Sequence, residues 1–306
     1  MTAGAGRGRL ETTLERPGWL PQPEWPFRLQ TVTLDGCRLH LIDEGAGPVL
    51  LLVHAGMWSF VWRDLIAELA GEFRCVAVDF PGSGLTQAPD DYPIGLRPNA
   101  LLLEGVVDRL GLTDLTLVAH DLGGLIGLAM ATRRPELVRG LVVINGFGWP
   151  PRGALRAFLG LMGGPAMRGP NVATNFLPRL TSGRFGVGRH LGHQARQAFL
   201  GPTRDRTRRR TFHQLMRDAS RSAPLLEQVE TGLRTVLADR PALTIFGQYN
   251  DPFRFQRRWR AIFPHARQVV VARGNHFPMN DDPQGVAAAI GSWWQEVIDH
   301  GLAPPA

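Results

Sequence analysis

Leu115-Thr116-Leu117-Val118-Ala119-His120-Asp121-Leu122-Gly123-Gly124 is the stretch that decides how this chain folds. Residues 115–120 form a short, mostly apolar run, as expected of a strand covered on both faces. Residues 122–133 have helical apolar spacing, and Pro135 stops the helix. Between them stands one acidic residue, Asp121, framed by Ala119, Gly123 and Gly124. A strand that turns straight into a helix strains the residue at the corner. It also needs small neighbours so that strand and helix can approach. The corner side chain is then held above the sheet, at the positive end of a helix. Asp is also a common helix N-cap, so the meaning of Asp121 depends on what the rest of the chain brings to it.

Outward from this corner, strand and helix patterns alternate. Residues 27–34 and 38–43 read as a hairpin joined by Asp35-Gly36. Short apolar strands are expected at 49–54, 73–79 and 138–145, with helices at 59–70 and 99–110. Such alternation implies right-handed crossovers and a mostly parallel central sheet flanked by helices, an α/β fold. Beyond Trp149 the rhythm breaks. Residues 150–232 are rich in Gly, Pro and Arg, with helical pieces but no convincing strand. Alternation resumes with strands at 241–246 and 268–271 and helices at 253–263 and 283–297. The expected organisation is a Gly-, Pro- and Arg-rich loose arm at 1–25 and a core at 26–149 and 233–300. Residues 150–232 would be a helical cap inserted into that core, above the carboxyl ends of the strands.

Composition narrows the function classes. The hydrophobic fraction of 44% and charged fraction of 20% are those of an ordinary globular protein. No apolar run approaches the roughly 18–20 residues of a membrane span, and the N-terminal stretch has no apolar segment suited to secretion. A cytoplasmic protein without membrane partners is expected. Cys37 and Cys75 lie in strand-like runs and read as reduced, buried thiols rather than a disulfide or a metal site. The net charge of +7 comes entirely from Arg, since the chain contains no Lys, and the densest run is Arg204–Arg210. No recognised nucleic-acid motif accompanies it, so a solvated helix face is the expected reading.

Two further residues give Asp121 chemical meaning. His276 follows the last expected strand, in Arg273-Gly274-Asn275-His276-Phe277-Pro278. Asp251 follows the strand at 241–246, in Phe246-Gly247-Gln248-Tyr249-Asn250-Asp251-Pro252. Each alone is an ordinary loop residue, and Asp251 before Pro is a common turn. Together they stand at strand ends in the order nucleophile, acid, base. A carboxylate nucleophile needs no base to remove a proton. Asp121 can attack an sp3 carbon to give an alkyl ester, and His276 can activate the water that cleaves it. Asp251 would orient the imidazole. Backbone donors for the tetrahedral intermediate are expected at Leu122 and at Gly56, in the loop after residues 49–54.

At these residues the sequence resembles the α/β-hydrolase superfamily and, within it, the haloalkane dehalogenases and the related epoxide hydrolases. The resemblance spans about 27–150 and 235–297. It is carried also by Trp58-Ser59-Phe60-Val61-Trp62-Arg63-Asp64-Leu65-Ile66, by Val78-Asp79-Phe80-Pro81-Gly82-Ser83-Gly84-Leu85 and by Asn145-Gly146-Phe147-Gly148-Trp149-Pro150. It implies an α/β-hydrolase fold, the Asp121–Asp251–His276 triad, no cofactor and no metal. The substrate would be a small apolar molecule and the protein a monomer or homodimer. The pattern departs from dehalogenases at the leaving group. Where they carry a Trp after the nucleophile this chain has Leu122, and its loop His54-Ala55-Gly56-Met57 lacks their Asn. Trp58 and Trp149 are the candidate replacements, each otherwise a pocket-wall aromatic. Epoxide hydrolases protonate their leaving oxygen with lid tyrosines, but Tyr92 and Tyr249 both lie outside 150–232. The alternatives are an epoxide hydrolase, a β-lactone-opening relative and, in another class, a non-catalytic ligand-binding protein on a hydrolase scaffold.

Overall fold

The computed structural model describes residue 10 and residues 14–184 and 186–299. Eight strands form one sheet: β1 (Gln30–Leu34), β2 (Cys37–Glu44), β3 (Val49–Val53), β4 (Arg74–Val78), β5 (Leu115–His120), β6 (Val138–Ile144), β7 (Ala242–Gly247) and β8 (Arg267–Val271). Their order is β1-β2-β4-β3-β5-β6-β7-β8. β2 pairs antiparallel with β1 and β4, and the strands from β4 to β8 pair in parallel. The expected hairpin thus caps one edge of a parallel sheet. Alternate residues of each strand serve opposite faces. Leu51 and Val53 enter one apolar core, and Leu50 and Leu52 the other.

Twelve helices are described: α1 (Arg63–Leu69), α2 (Leu96–Leu110), α3 (Asp121–Arg133), α4 (Gly153–Met162), α5 (Pro165–Thr174), α6 (Phe176–Thr181), α7 (His193–Leu200), α8 (Arg206–Ala219), α9 (Ala223–Arg234), α10 (Phe255–Ile262), α11 (Pro278–Asp281) and α12 (Pro283–Asp299). α2 and α3 contribute Leu103 and Ile126 to one core, while α1 and α12 contribute Ile66 and Ile290 to the other. α2 starts earlier than the sequence reading placed it. Pro98 falls in its first turn, where a missing N–H costs nothing, and the carboxylate of Asp218 on α8 accepts from Leu96 N–H at 2.7 Å.

The stretch 150–232 holds helices and no strand among its described residues. Its last helix packs with the core. Leu226, Val229 and Leu233 of α9 join the same apolar cluster as α3, and at Gly232 a Cβ would lie 2.6 Å from Thr132 Cβ. α4 and α8 add Leu155, Leu159, Leu215 and Ala219 to the same cluster, and α7 adds Phe199 to the other. The arm also differs from expectation in its described part. Leu20 and Trp25 are fully buried, and Trp25 stacks on Trp58 with ring centroids 4.8 Å apart. Apolar weight outweighs local Pro and Gly there. Cys37 and Cys75 are buried and unpaired, and burial, with Asp43 adding to it, pushes the Cys75 thiol up to about 12.

Candidate active site

Asp121 occupies the corner between β5 and α3 at φ +48°, in the left-handed region that a non-glycine residue enters at a cost. Gly123 makes the corner possible. A Cβ there would sit 2.2 Å from the Cα of His54, so only glycine lets the start of α3 meet the loop after β3. Leu122 N–H lies in the first turn of α3, where no intrahelical acceptor exists. Gly56, in the loop facing that turn, has φ +90°, and Phe212 of α8 packs so closely on it that a Cβ would lie 2.5 Å from the ring.

His276 reaches Asp121 from the loop between β8 and α11, with Nε2 3.7 Å from Oδ2. Both side chains are 33% accessible, although the carboxyl lies deep among protein atoms. The pair therefore shares an opening toward solvent rather than the outer surface. Burial pushes the Asp121 carboxyl up, but the nearby His276 ring outweighs this and holds it below the ordinary carboxylate range. The carboxylate is ionised, as a nucleophile must be.

The loop carrying His276 is fixed by its backbone. His120 Nε2 donates to the His276 carbonyl at 2.8 Å. Asn145 Nδ2 donates to the carbonyls of His276 and Asn275 at 2.9 and 2.8 Å, and its Oδ1 accepts from Gly247 N–H at 3.0 Å. Asn145 itself sits at φ +40°, a second strained residue at a strand end. Burial drives the pKa of His54 down to about 4 and that of His120 well below its ordinary range. Both rings are neutral at pH 7, which fixes their tautomers. His120 spends its one N–H on the His276 carbonyl, so its Nδ1 accepts. His54 Nδ1–H then donates across the 2.9 Å contact, leaving His54 Nε2 a lone pair with no partner among the described residues.

The expected contact between Asp251 and His276 is not made. The Asp251 carboxylate accepts from Phe255 N–H at 2.5 Å and Gln256 N–H at 3.2 Å, covering the first free donors of α10. Its neighbour faces the ring instead, with Asn250 Nδ2 3.2 Å from His276 Nδ1. An amide can present either end. With Oδ1 toward Nδ1, it holds the ring with Nε2 turned toward Asp121.

Of the two expected leaving-group donors, one is engaged elsewhere. Trp58 Nε1 donates to the carbonyl of Phe199 on α7 at 3.0 Å. Trp149 is buried in an aromatic cluster with Phe147, Phe255 and Trp259, and the Arg258 guanidinium lies 4.5 Å over its ring. Tyr249 is 66% exposed. The sequence reading passed over His54, His120, Asn250 and Phe212. The histidines had a signal: each closes or follows a buried strand, where an imidazole needs a partner.

The comparisons with known proteins give the family. Over residues 50–289 the sequence matches the alpha/beta hydrolase family, and the chain belongs to that family. It is a hydrolase of haloalkane dehalogenase type. It is 31% identical over 281 residues to haloalkane dehalogenase 2 of Mycobacterium tuberculosis, covering 88% of this chain and 96% of that one. It is 29% identical over 283 residues to the cis-3-alkyl-4-alkyloxetan-2-one decarboxylase of Shewanella oneidensis, covering 87% of each. The fold superposes on a haloalkane dehalogenase loop variant from Bradyrhizobium elkanii with a TM-score of 0.77 at 21% identity, covering 89% of this chain and 98% of that chain.

Proposed function

We propose that Asp121 attacks an sp3 carbon of a small apolar substrate and that the alkyl ester so formed is the central intermediate. The observation that carries this is the strained corner at Asp121, which holds an ionised carboxylate 3.7 Å from His276. Water activated at His276 Nε2 then attacks the ester carbonyl, with Leu122 and Gly56 N–H as donors to the oxyanion. Asn250 takes the orienting position beside Nδ1. Residues 150–222 act as the cap, with Phe212 closing on Gly56. The unpaired, buried cysteines support a cytoplasmic enzyme.

The leaving group is the finer question, and the engaged Trp58 indole bears on it. A free halide ion leaving into a dry pocket needs N–H donors. Trp58 has committed its donor to Phe199, and Leu122 offers no side-chain donor. A strained β-lactone avoids this need, because its leaving carboxylate stays tethered and ring strain helps drive opening. Attack by Asp121 on the ring sp3 carbon breaks the ring C–O bond and frees that carboxylate. The resulting ester can be hydrolysed by water. Alternatively, loss of CO2 sends the C–C electron pair into an alkene while the Asp121–carbon bond breaks, which restores the carboxylate. The oxetanone decarboxylase relative supports this reading. The dehalogenase relative supports halide as the second reading.

The test is incubation of the His276→Gln variant with haloalkanes and with cis-3,4-dialkyl oxetan-2-ones, followed by peptide mass spectrometry. An alkyl adduct on Asp121 from one panel identifies nucleophile and substrate class together. Turnover of oxetanones to alkene and CO2 without an adduct supports the decarboxylating route, provided Asp121→Asn abolishes it. Failure of both panels with the wild-type enzyme as well would sink the reading.

A further inference from the structure

We propose that the helical insertion docks this protein on an anionic lipid surface, through the arginines and the exposed apolar side chains it carries. The first observation is a separation of charge along the chain. Residues 150–222 contain fourteen arginines and two aspartates, a net charge of +12, while the rest holds twenty arginines and twenty-five carboxylates, net −5. Uniform use of Arg in place of Lys does not account for this, because it says nothing about where acids are missing. Both acids in the segment are occupied. Asp205 accepts from Thr207 N–H, and Asp218 from Leu96 N–H and the Ser222 hydroxyl. Arg152, Arg156, Arg168 and Arg179 are exposed and make no ion pair among the described residues.

The second observation is apolar. Phe158 and Leu161 lie one turn apart on α4 and are 49% and 57% exposed. The ring of Phe253 lies 6.4 Å from that of Phe158 and extends the patch. Phe176 and Leu180 repeat the one-turn spacing on α6 at 42% and 53%. Phe158, Leu161 and Phe253 form an exposed apolar patch of the kind that marks a contact surface. Their mixture with arginines selects the partner. Phosphate groups of a nucleic acid would satisfy the guanidinium groups, but Leu161 and Leu180 offer nothing to a base. An anionic bilayer satisfies both, with headgroups for the arginines and acyl chains for the leucines and phenylalanines. Among the described residues no helix is long and apolar enough to cross a membrane, so the contact is peripheral. It does not depend on which reaction Asp121 performs.

The test is sedimentation of the whole protein with vesicles of phosphatidylcholine alone or mixed with phosphatidylglycerol. Binding is expected only to the mixed vesicles and should be reversed by high salt, since the headgroup attraction is screened. Replacing Arg152, Arg156, Arg168 and Arg179 together by Gln should weaken it at least about tenfold. The pair Phe158→Ser and Leu161→Ser should weaken it by a similar factor, since both side chains lose apolar surface to bury in the acyl boundary. All six residues are exposed, so melting temperature and turnover of a soluble substrate should not change in either variant. No binding to the anionic vesicles overturns the proposal. So does unchanged affinity in either variant, or retention on single-stranded RNA with none on vesicles.

Discussion

At the scale of single residues, Asp251 is where a sequence motif and its local structure part company. Its place in the chain suits the acid of a triad, yet its carboxylate is committed to two N–H groups of α10, and Asn250 faces the imidazole. The motif fixed the loop but not the rotation of one residue within it, which depends on where the next helix begins. Asp251→Asn is therefore expected to lower kcat by no more than about tenfold, far short of the roughly 10⁴ lost when a triad Asp becomes Asn. Asp251→Ala should cost about 1 kcal/mol of stability through the lost cap. Steady-state rates and melting curves on both variants decide it, and a thousandfold fall in kcat with unchanged melting would return Asp251 to the catalytic role. The buried pair His54 and His120 supports a second prediction. Their folded-state pKa values lie below the ordinary value near 6.5, so the folded protein binds fewer protons than the unfolded one. Their contribution to stability is full above pH 6.5 and is lost as pH falls toward 4. For His54 that window corresponds to about 3 kcal/mol. His54→Gln should be less stable at pH 8 but lose less on acidification. Parallel melting curves for wild type and variant between pH 8 and pH 4 would show that His54 is not held neutral.

At the scale of elements, the strands and the corner were legible because buried parallel strands and glycine-framed turns leave strong local patterns. Gly123 is written into the sequence for the same reason that the structure needs it. The path of the insertion was not legible, because its anchors are long-range and involve backbone. Arg208, within the Arg204–Arg210 run, was expected to be part of a solvated face. Instead its guanidinium donates to the carbonyls of Ser83, Gly84 and Thr86, at 3.2, 2.7 and 3.1 Å, and ties α8 to the loop after β4. That loop also holds Asp79, which bonds His40 at 2.8 Å and Ser59 N–H at 2.7 Å, so α8, β4 and the start of the Ser59 turn are linked. Cavities of ≈ 380 and ≈ 480 Å³ flank Arg208, which lines both. Truncation would merge them and leave three carbonyls without their donor. Arg208→Ala should destabilise the protein by roughly 2–3 kcal/mol and raise KM more than it lowers kcat, because α8 also carries Phe212 onto Gly56. A variant with wild-type melting and wild-type KM would show that the insertion is held elsewhere.

At the scale of the whole molecule, three stretches far apart in the chain close around one another. Trp25 stacks on Trp58, and Trp19 meets Trp58 edge-on at 5.9 Å. Trp58 donates to Phe199 on α7, and the Trp19 ring lies against Gly201, where a Cβ would come within 2.0 Å. The arm, the loop after β3 and the insertion thus form one packed unit beside the candidate site. Local sequence could not show this. Gly, Pro and Arg in 1–25 read as a loose segment, and the aromatic residues that overrule that reading find their partners some 30 to 180 residues away. If the arm were loose, removing it would be silent. Because Leu20 and Trp25 are fully buried, Trp25→Ala should cost about 3–5 kcal/mol, as expected for a large aromatic removed from a core. Deleting residues 1–25 should cost at least as much. Both changes free the Trp58 loop, which continues from Gly56, so kcat should fall along with stability. Thermal unfolding measured beside steady-state rates on the same preparations tests both halves. Truncated protein that melts and turns over like the full chain would mean that the arm only rests on the surface, and that Trp58 is held by the insertion alone.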